Sequence, residues 1–365
     1  MNESPPPASQ SLGGNPERKN TPCISDLARV KFLLKKERVF FFRGSALQVF
    51  EQVAGRNAEL GRRGRRGLGG RNPAPSSCLT KSLYFAKVAV MFEEITKIVG
   101  REEGTTSIVL VGVHGDEKCG VEALEKILPN LEIEHGTVLF GYGNPRAIET
   151  NKRYTESNLN RMFNDDELLI TKEKESYEYR RAQFLKTYLD KTEALLDIHA
   201  SSIPNSRVFA ICEANAKEIV NFFPINLVVS GFDKVEPGGT DYYMNSIGKV
   251  GICLECGYMK DPQSAKIAEE SIFAFLKARG HMTNNLVPQK QTYVQMFKKY
   301  FAKTDKFTLS KPFENFEALE ENQLIGIDGQ EKVKTSKRSL ILFAHNGTKV
   351  GDEVFLLGEE KESLV

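Results

Sequence analysis

Ile108 to Gly120 reads IVLVGVHGDEKCG, a buried strand that breaks directly into a polar corner. Ile108, Val109, Leu110, Val111 and Val113 form the short β-branched run expected of a strand covered on both faces. Gly112 and Gly115 let the backbone turn tightly and leave His114, Asp116 and Glu117 at the strand's carboxyl end, the edge where open α/β sheets bind ligands. An imidazole and a carboxylate three residues apart can both reach one ion at about 2 Å, a donor set that Zn²⁺ accepts. Leu195 to His199, LLDIH, is a second apolar run ending in a histidine, and the 82 residues from Glu117 to His199 allow a crossover and return to the same sheet edge. Two histidines and one glutamate leave a fourth position open, as in catalytic rather than structural sites.

Composition separates the chain into unlike parts. Its 365 residues, 40% hydrophobic, suffice for more than one domain. The first 90 hold 16 Lys plus Arg against 6 Asp plus Glu, and the remainder 34 against 42, so a formal charge of +2 conceals a basic head on an acidic body. The head includes GRRGRRGLGGRNPAPSS at 61–77, too rich in Gly, Arg and Pro to pack, and residues 1–90 read as a mostly disordered basic extension. It could hold RNA or anionic lipid by counterion release, or act as an Arg-rich transit leader. The favoured reading is that it is no part of the native protein, with Met91 as the start. Six scattered cysteines point to a reduced, cytoplasmic setting. No window reaches the roughly 18 consecutive apolar residues of a membrane span, and no secretory signal is visible.

From Met91 the pattern alternates. Helices are expected over Val121–Leu128, Tyr177–Asp190 and Ser264–Arg279, and strands over Thr137–Tyr142, Leu195–His199, Arg207–Cys212, Leu227–Ser230 and Val250–Cys256. This is an α/β sheet with helices on both faces. After Gln291 short apolar segments with Asp328-Gly329 and Asn346-Gly347 turns predict an all-β appendage. Glu255 is a lone acid in the apolar run VGICLEC, costly unless it is paired. Cys253 and Cys256 point to opposite faces of a strand and read as core, as does Cys119, while His135, His281 and His345 carry no expected role.

Six blocks, in order, resemble the succinylglutamate desuccinylase and aspartoacylase branch of the zinc carboxypeptidase-like hydrolases: His114-Gly115-Asp116-Glu117, Asn144-Pro145-Arg146-Ala147, Arg153-Tyr154, Asn158-Leu159-Asn160-Arg161-Met162-Phe163, Asp197-Ile198-His199 and Leu254-Glu255-Cys256-Gly257. The resemblance covers roughly residues 108–279. It implies a mixed sheet flanked by helices, followed by a small all-β C-terminal domain, with a catalytic domain over 91–285 and the β domain over 286–365. It implies one zinc ion per chain on His114, Glu117 and His199, with Glu255 as general base and Arg153 beside the scissile carbonyl. It further implies Asn160, Arg161, Asn144 and Arg146 as substrate contacts, and makes Asp197 a partner for a ligating histidine.

The implied activity is cleavage of an N-acyl amino acid or similar small amide by metal-activated water. A peptidase of the carboxypeptidase type and a catalytically silent metal-binding protein are the competing readings; a retained Glu255 opposes the second. The expected partner is a small N-acyl amino acid or related substrate, with a homodimer admitted, no membrane, and nucleic acid disfavoured. Two positions depart from the family pattern. Asn158 stands where Asp is usual, and Asn245 stands ten residues before Glu255, where aspartoacylases have a substrate-holding arginine. The reaction class is therefore expected and the acyl group is left open.

Overall fold

The computed structural model of the chain describes residues 95–364. The expectations placed on the basic extension and on Met91 lie outside the described residues.

The chain adopts the expected α/β architecture. Its strands are β1 (Thr96–Val99), β2 (Glu102–Val111), β3 (His135–Tyr142), β4 (Ala194–Ser201), β5 (Val208–Cys212), β6 (Leu227–Ser230), β7 (Val250–Tyr258) and β8 (Thr292–Phe301), then β9 (Phe307–Leu309), β10 (Glu317–Leu319), β11 (Leu324–Asp328), β12 (Glu331–Lys334), β13 (Ser339–Leu342) and β14 (Glu353–Lys361). The large sheet runs β1-β3-β2-β4-β7-β5-β6-β8-β14-β13-β10, and β12-β11-β9 make a separate small one. Within the large sheet β3, β2, β4 and β7 are parallel, whereas β5 runs antiparallel to β7, so the sheet is mixed. The expected β appendage is real in composition, but four of its strands continue the large sheet through the β6–β8 pairing.

The parallel centre is fully buried: Ile108 to Val111, Leu195, Leu196, Ile198, Ile252 and Leu254 are 0% exposed. Polar residues are absent from the Ile108–Val111 run because neither of its faces meets water. On one face the helices Cys119–Ile127 and Pro262–Ala278 pack together, burying Val121, Leu124, Ile272, Phe275 and Leu276 in one cluster with the strand side chains. Pro129 stops the first helix in a short 3₁₀ turn. Asp261 caps the second by accepting from Gln263 N at 2.9 Å. The helix Tyr177–Leu189 lies in a different cluster with Ile108, Leu110 and Leu195, which places it on the other face. Cys253 and Cys256 fall in different clusters, as side chains three apart on a strand must.

Candidate metal and catalytic site

Three carboxyl strand ends build the site. β2 delivers the loop with His114 and Glu117, β4 delivers His199, and β7 delivers Glu255; His199 and Glu255 are direct register partners on neighbouring parallel strands. Gly115 is dictated by space. A Cβ there would lie 2.0 Å from the carbonyl carbon of Ala147, so the loop sits directly on the following turn.

His114, Glu117 and His199 are 3%, 3% and 2% exposed and converge. His114 Nδ1 lies 2.8 Å from Glu117 Oε1 and 3.2 Å from His199 Nδ1, which is 3.0 Å from Glu117 Oε2. Tetrahedral coordination at about 2.1 Å places donor atoms roughly 3.4 Å apart, so a slight spreading of the trio is all that separates it from a ligand set.

The outer nitrogens decide the tautomers. Asn158 Oδ1 accepts from Asn160 N at 3.1 Å, which fixes its amide orientation, and the same oxygen is 3.0 Å from His114 Nε2. That Nε2 must carry the hydrogen, leaving a lone pair on Nδ1. At His199, Nε2 faces Asp197 Oδ2 at 3.1 Å, and Asp197 also accepts from Thr240 Oγ1. Here too Nδ1 turns inward as an acceptor, so two imidazole lone pairs and a carboxylate point at one spot, an arrangement that calls for a cation. The fit to a metal is good.

The electrostatics agree. Burial lowers His114 against the pull of Glu117, keeping it neutral as a ligand must be. Burial opposes the charge on Glu117, yet His114 and His199 hold its carboxyl well below the usual range. For His199, burial is outweighed by Asp197 and Glu117, which raise it well above its ordinary value. Surroundings that favour a proton on His199 favour a cation beside it. Glu255 is pushed up to about 7, by burial first and Glu117 second, with His199 and Arg153 working against them.

The trio opens on a cavity of about 420 Å³ whose wall includes Arg153, Asn160, Arg161, Glu255 and Cys253. Arg153 is half exposed and donates to Glu117 Oε1 at 3.0 Å. Arg161 is ion-paired with the nearly buried Glu236. Asn144 and Arg146 are not on that wall. Asn144 is buried, caps the helix Pro145–Thr150 through Ala147 N at 3.2 Å, and donates to Glu178 Oε1 at 3.2 Å. Arg146 lies over the Tyr177 ring at 4.1 Å, more than half exposed.

Several wall residues carried no sequence signal. Asp233, Glu236 and Asp241 come from a region with little periodicity, and Phe343, His345 and Glu353 arrive from the β segment. His281, which carried no expected role, is fully buried, with Nε2 2.8 Å from Ser107 Oγ.

Residues 103–279 match the profile of the succinylglutamate desuccinylase/aspartoacylase catalytic domain. These residues form a domain of that family. Among curated proteins, the succinylglutamate desuccinylase of Pseudomonas aeruginosa is 34% identical over 106 residues, 27% of this chain and 31% of that one; the chain thus spans under a third of the curated relatives it matches. That of Pseudomonas syringae pv. tomato is 30% identical over 105 residues. Among solved structures, the succinylglutamate desuccinylase of Vibrio cholerae superposes with a TM-score of 0.63 at 18% identity, covering 73% of this chain and 85% of that one. The ectoine utilization protein EutE (DoeB) of Ruegeria pomeroyi gives 0.56 at 20% identity, covering 72% and 88%. At such identities the structural likeness establishes the shared fold. Among the described residues no helix is long and apolar enough to cross a membrane.

Proposed function

We propose that the chain is a zinc-dependent deacylase that hydrolyses the amide of a small N-acyl amino acid or related compound. The observation that carries the reading is the convergence of two inward Nδ1 lone pairs and the Glu117 carboxylate, with Glu255 one strand away in register with His199. His114, Glu117 and His199 would hold the ion, and Asn158 and Asp197 would hold the two imidazoles in the ligating tautomer. The chemistry such an ion supplies when bound is Lewis acidity toward water and the amide carbonyl.

The other steps belong to the protein's own side chains. Glu255, with an acidity near neutrality, takes a proton from the attacking water and returns it to the leaving amine. Arg153 reaches over Glu117 and is placed to stabilise charge that develops on the carbonyl oxygen. Phe343, Ala344, His345 and Glu353 bring the β segment onto the cavity wall, which favours a small substrate over a long peptide. The test is metal content together with amine release from N-acetyl, N-succinyl and N-formyl amino acids. One equivalent of zinc with release from some member is expected; a protein that binds no zinc refutes the reading.

A further inference from the structure

The charges on the cavity wall do not suit a substrate rich in carboxylates. Arg161 pairs through Nη2 with Glu236 Oε2 and donates through Nη1 to the Asn160 carbonyl at 2.8 Å. Glu236 Oε1 accepts from Lys299 Nζ at 2.8 Å, and the same ammonium reaches Glu353 Oε2 at 3.1 Å. Two cations and two carboxylates close on one another, with the Glu236 side chain only 7% exposed. Apart from this quartet and the metal trio, the charged wall residues are Arg153 against Asp233, Asp241 and Glu255, with the exposed His345.

Two further observations point to a donor rather than an acceptor as the missing occupant. Asn160 Oδ1 is a buried acceptor with no hydrogen-bond partner. A Cβ on Gly239 would lie 3.1 Å from that oxygen and 2.5 Å from Asp241 Oδ1, so both oxygens flank one spot on the wall that glycine keeps clear. A buried acceptor left without a donor is costly unless a ligand completes it. Behind them, Asn245 takes Gly251 N at 3.1 Å on its oxygen and turns its amide nitrogen toward Asp233 Oδ1 at 3.3 Å. The position thus supplies an acid with a neutral prop and no cation. Burial, then Glu213 and Asp241, push Asp233 up to about 7, the mark of acids crowded together without a cation among them.

We propose that the amine portion of the substrate carries a second, protonated amino group, seated against Asp233, Asp241 and Asn160 Oδ1, so that the substrate class is an N-acylated diamino acid rather than the amide of an acidic amino acid. The proposal rests on the deacylase reading, and the experiment separates the two. Calorimetric titration of the metal-loaded full chain with L-ornithine and with L-glutamate reads the acidic wall without any turnover. Parallel assays follow amine release from Nα-acetyl-L-ornithine, N-acetyl-L-glutamate and N-succinyl-L-glutamate.

Ornithine is expected to bind at least tenfold more tightly than glutamate, with the preference falling severalfold in both Asp241→Asn and Asp233→Asn proteins of unchanged melting temperature. Glu236→Gln, by releasing Arg161, is expected to improve glutamate binding. Glutamate binding as tightly as ornithine, or N-succinylglutamate being the preferred substrate, would overturn the proposal and leave the deacylase reading standing. An ornithine preference without hydrolysis of any of the three amides would sustain the acidic wall and remove the deacylase reading.

Discussion

Glu178 is the residue whose loss is expected to undo the site without touching it. It sits fully buried on the helix Tyr177–Leu189 and gathers the polar loop that precedes that helix. Its Oε1 accepts from Thr155 N at 2.7 Å, Thr155 Oγ1 at 2.6 Å and Asn144 Nδ2 at 3.2 Å, and its Oε2 accepts from Glu156 N at 3.2 Å and Ser157 N at 3.1 Å. Glu178→Gln keeps the shape but places an amide NH₂ against at least one pair of these donors. Two charge-assisted bonds at about 1.5–3 kcal/mol each give a gross loss of ~3–6 kcal/mol. The loop backbone is partly exposed and can turn its freed N–H groups to water, which reduces the expected net cost to ~2–4 kcal/mol. At roughly 2–4 °C per kcal/mol for a domain of this size, the melting temperature should fall by ~5–15 °C.

The pH dependence carries the sign. Hydrogen bonds, the Thr155 hydroxyl first, outweigh burial and hold Glu178 below its ordinary value of 4.5. Its contribution is therefore complete above that value and is lost as pH falls through the lower, folded-state value, so the gap between wild type and Glu178→Gln should close on acidification. Thermal and urea denaturation across pH 3 to 7 measure both effects. A variant within about 0.5 kcal/mol of wild type at neutral pH, or a gap that widens in acid, would refute the assignment of Glu178 as the loop's anchor.

Asn158→Leu removes the acceptor for His114 Nε2 and should weaken zinc binding by about 10–100-fold in competition with a chelator, whereas Asn158→Asp keeps the acceptor and should bind at least as tightly as wild type. Equal weakening in both would show that loop packing, not tautomer control, is at work. Glu255→Gln should retain its metal and lose about 10²–10⁴ in turnover, and near-normal turnover would remove Glu255 as the base. Gly115→Ala forces a Cβ into the Ala147 peptide and should cost ~1–3 kcal/mol on denaturation together with a loss of metal affinity; an unperturbed variant would mean that the two turns can part freely.

What could be read from the amino-acid sequence follows from where each group stands. His114, Glu117, His199 and Glu255 each end or interrupt an unbroken apolar run, so both the strand and the exception to it are visible in one window. Asp197 was readable for the same reason, by the two-residue repeat of β4. Glu178 was hidden because an acid in the first turn of a helix is ordinary, and four of its five donors come from a loop without periodicity. The helix Thr240–Ser246, TDYYMNS, is too short to show an apolar stripe. Asn144 was a substrate contact only by the family resemblance of its Asn144-Pro145-Arg146-Ala147 block; an asparagine before a proline also marks a helix cap, which is where it stands. The pairing of Arg161 with Glu236 joins residues 75 apart, and no local pattern announces it.

The β14 register completes the charge pairing on the cavity wall. Glu353 pairs across to Phe301 on β8, and β8 is held to the centre through β6, so β14 delivers the carboxylate that completes the Lys299 pairing, whereas Glu236 reaches both Arg161 and Lys299 without it. The three residues that could hold a metal all precede β14, as do Ala200, whose N donates to Glu117 Oε2 at 3.0 Å, and Thr240, whose hydroxyl donates to Asp197. Under the deacylase reading, β14 would therefore bear on which substrates the cavity accepts, through the charge pairing of its wall, and not on the identity of the residues that would hold the ion.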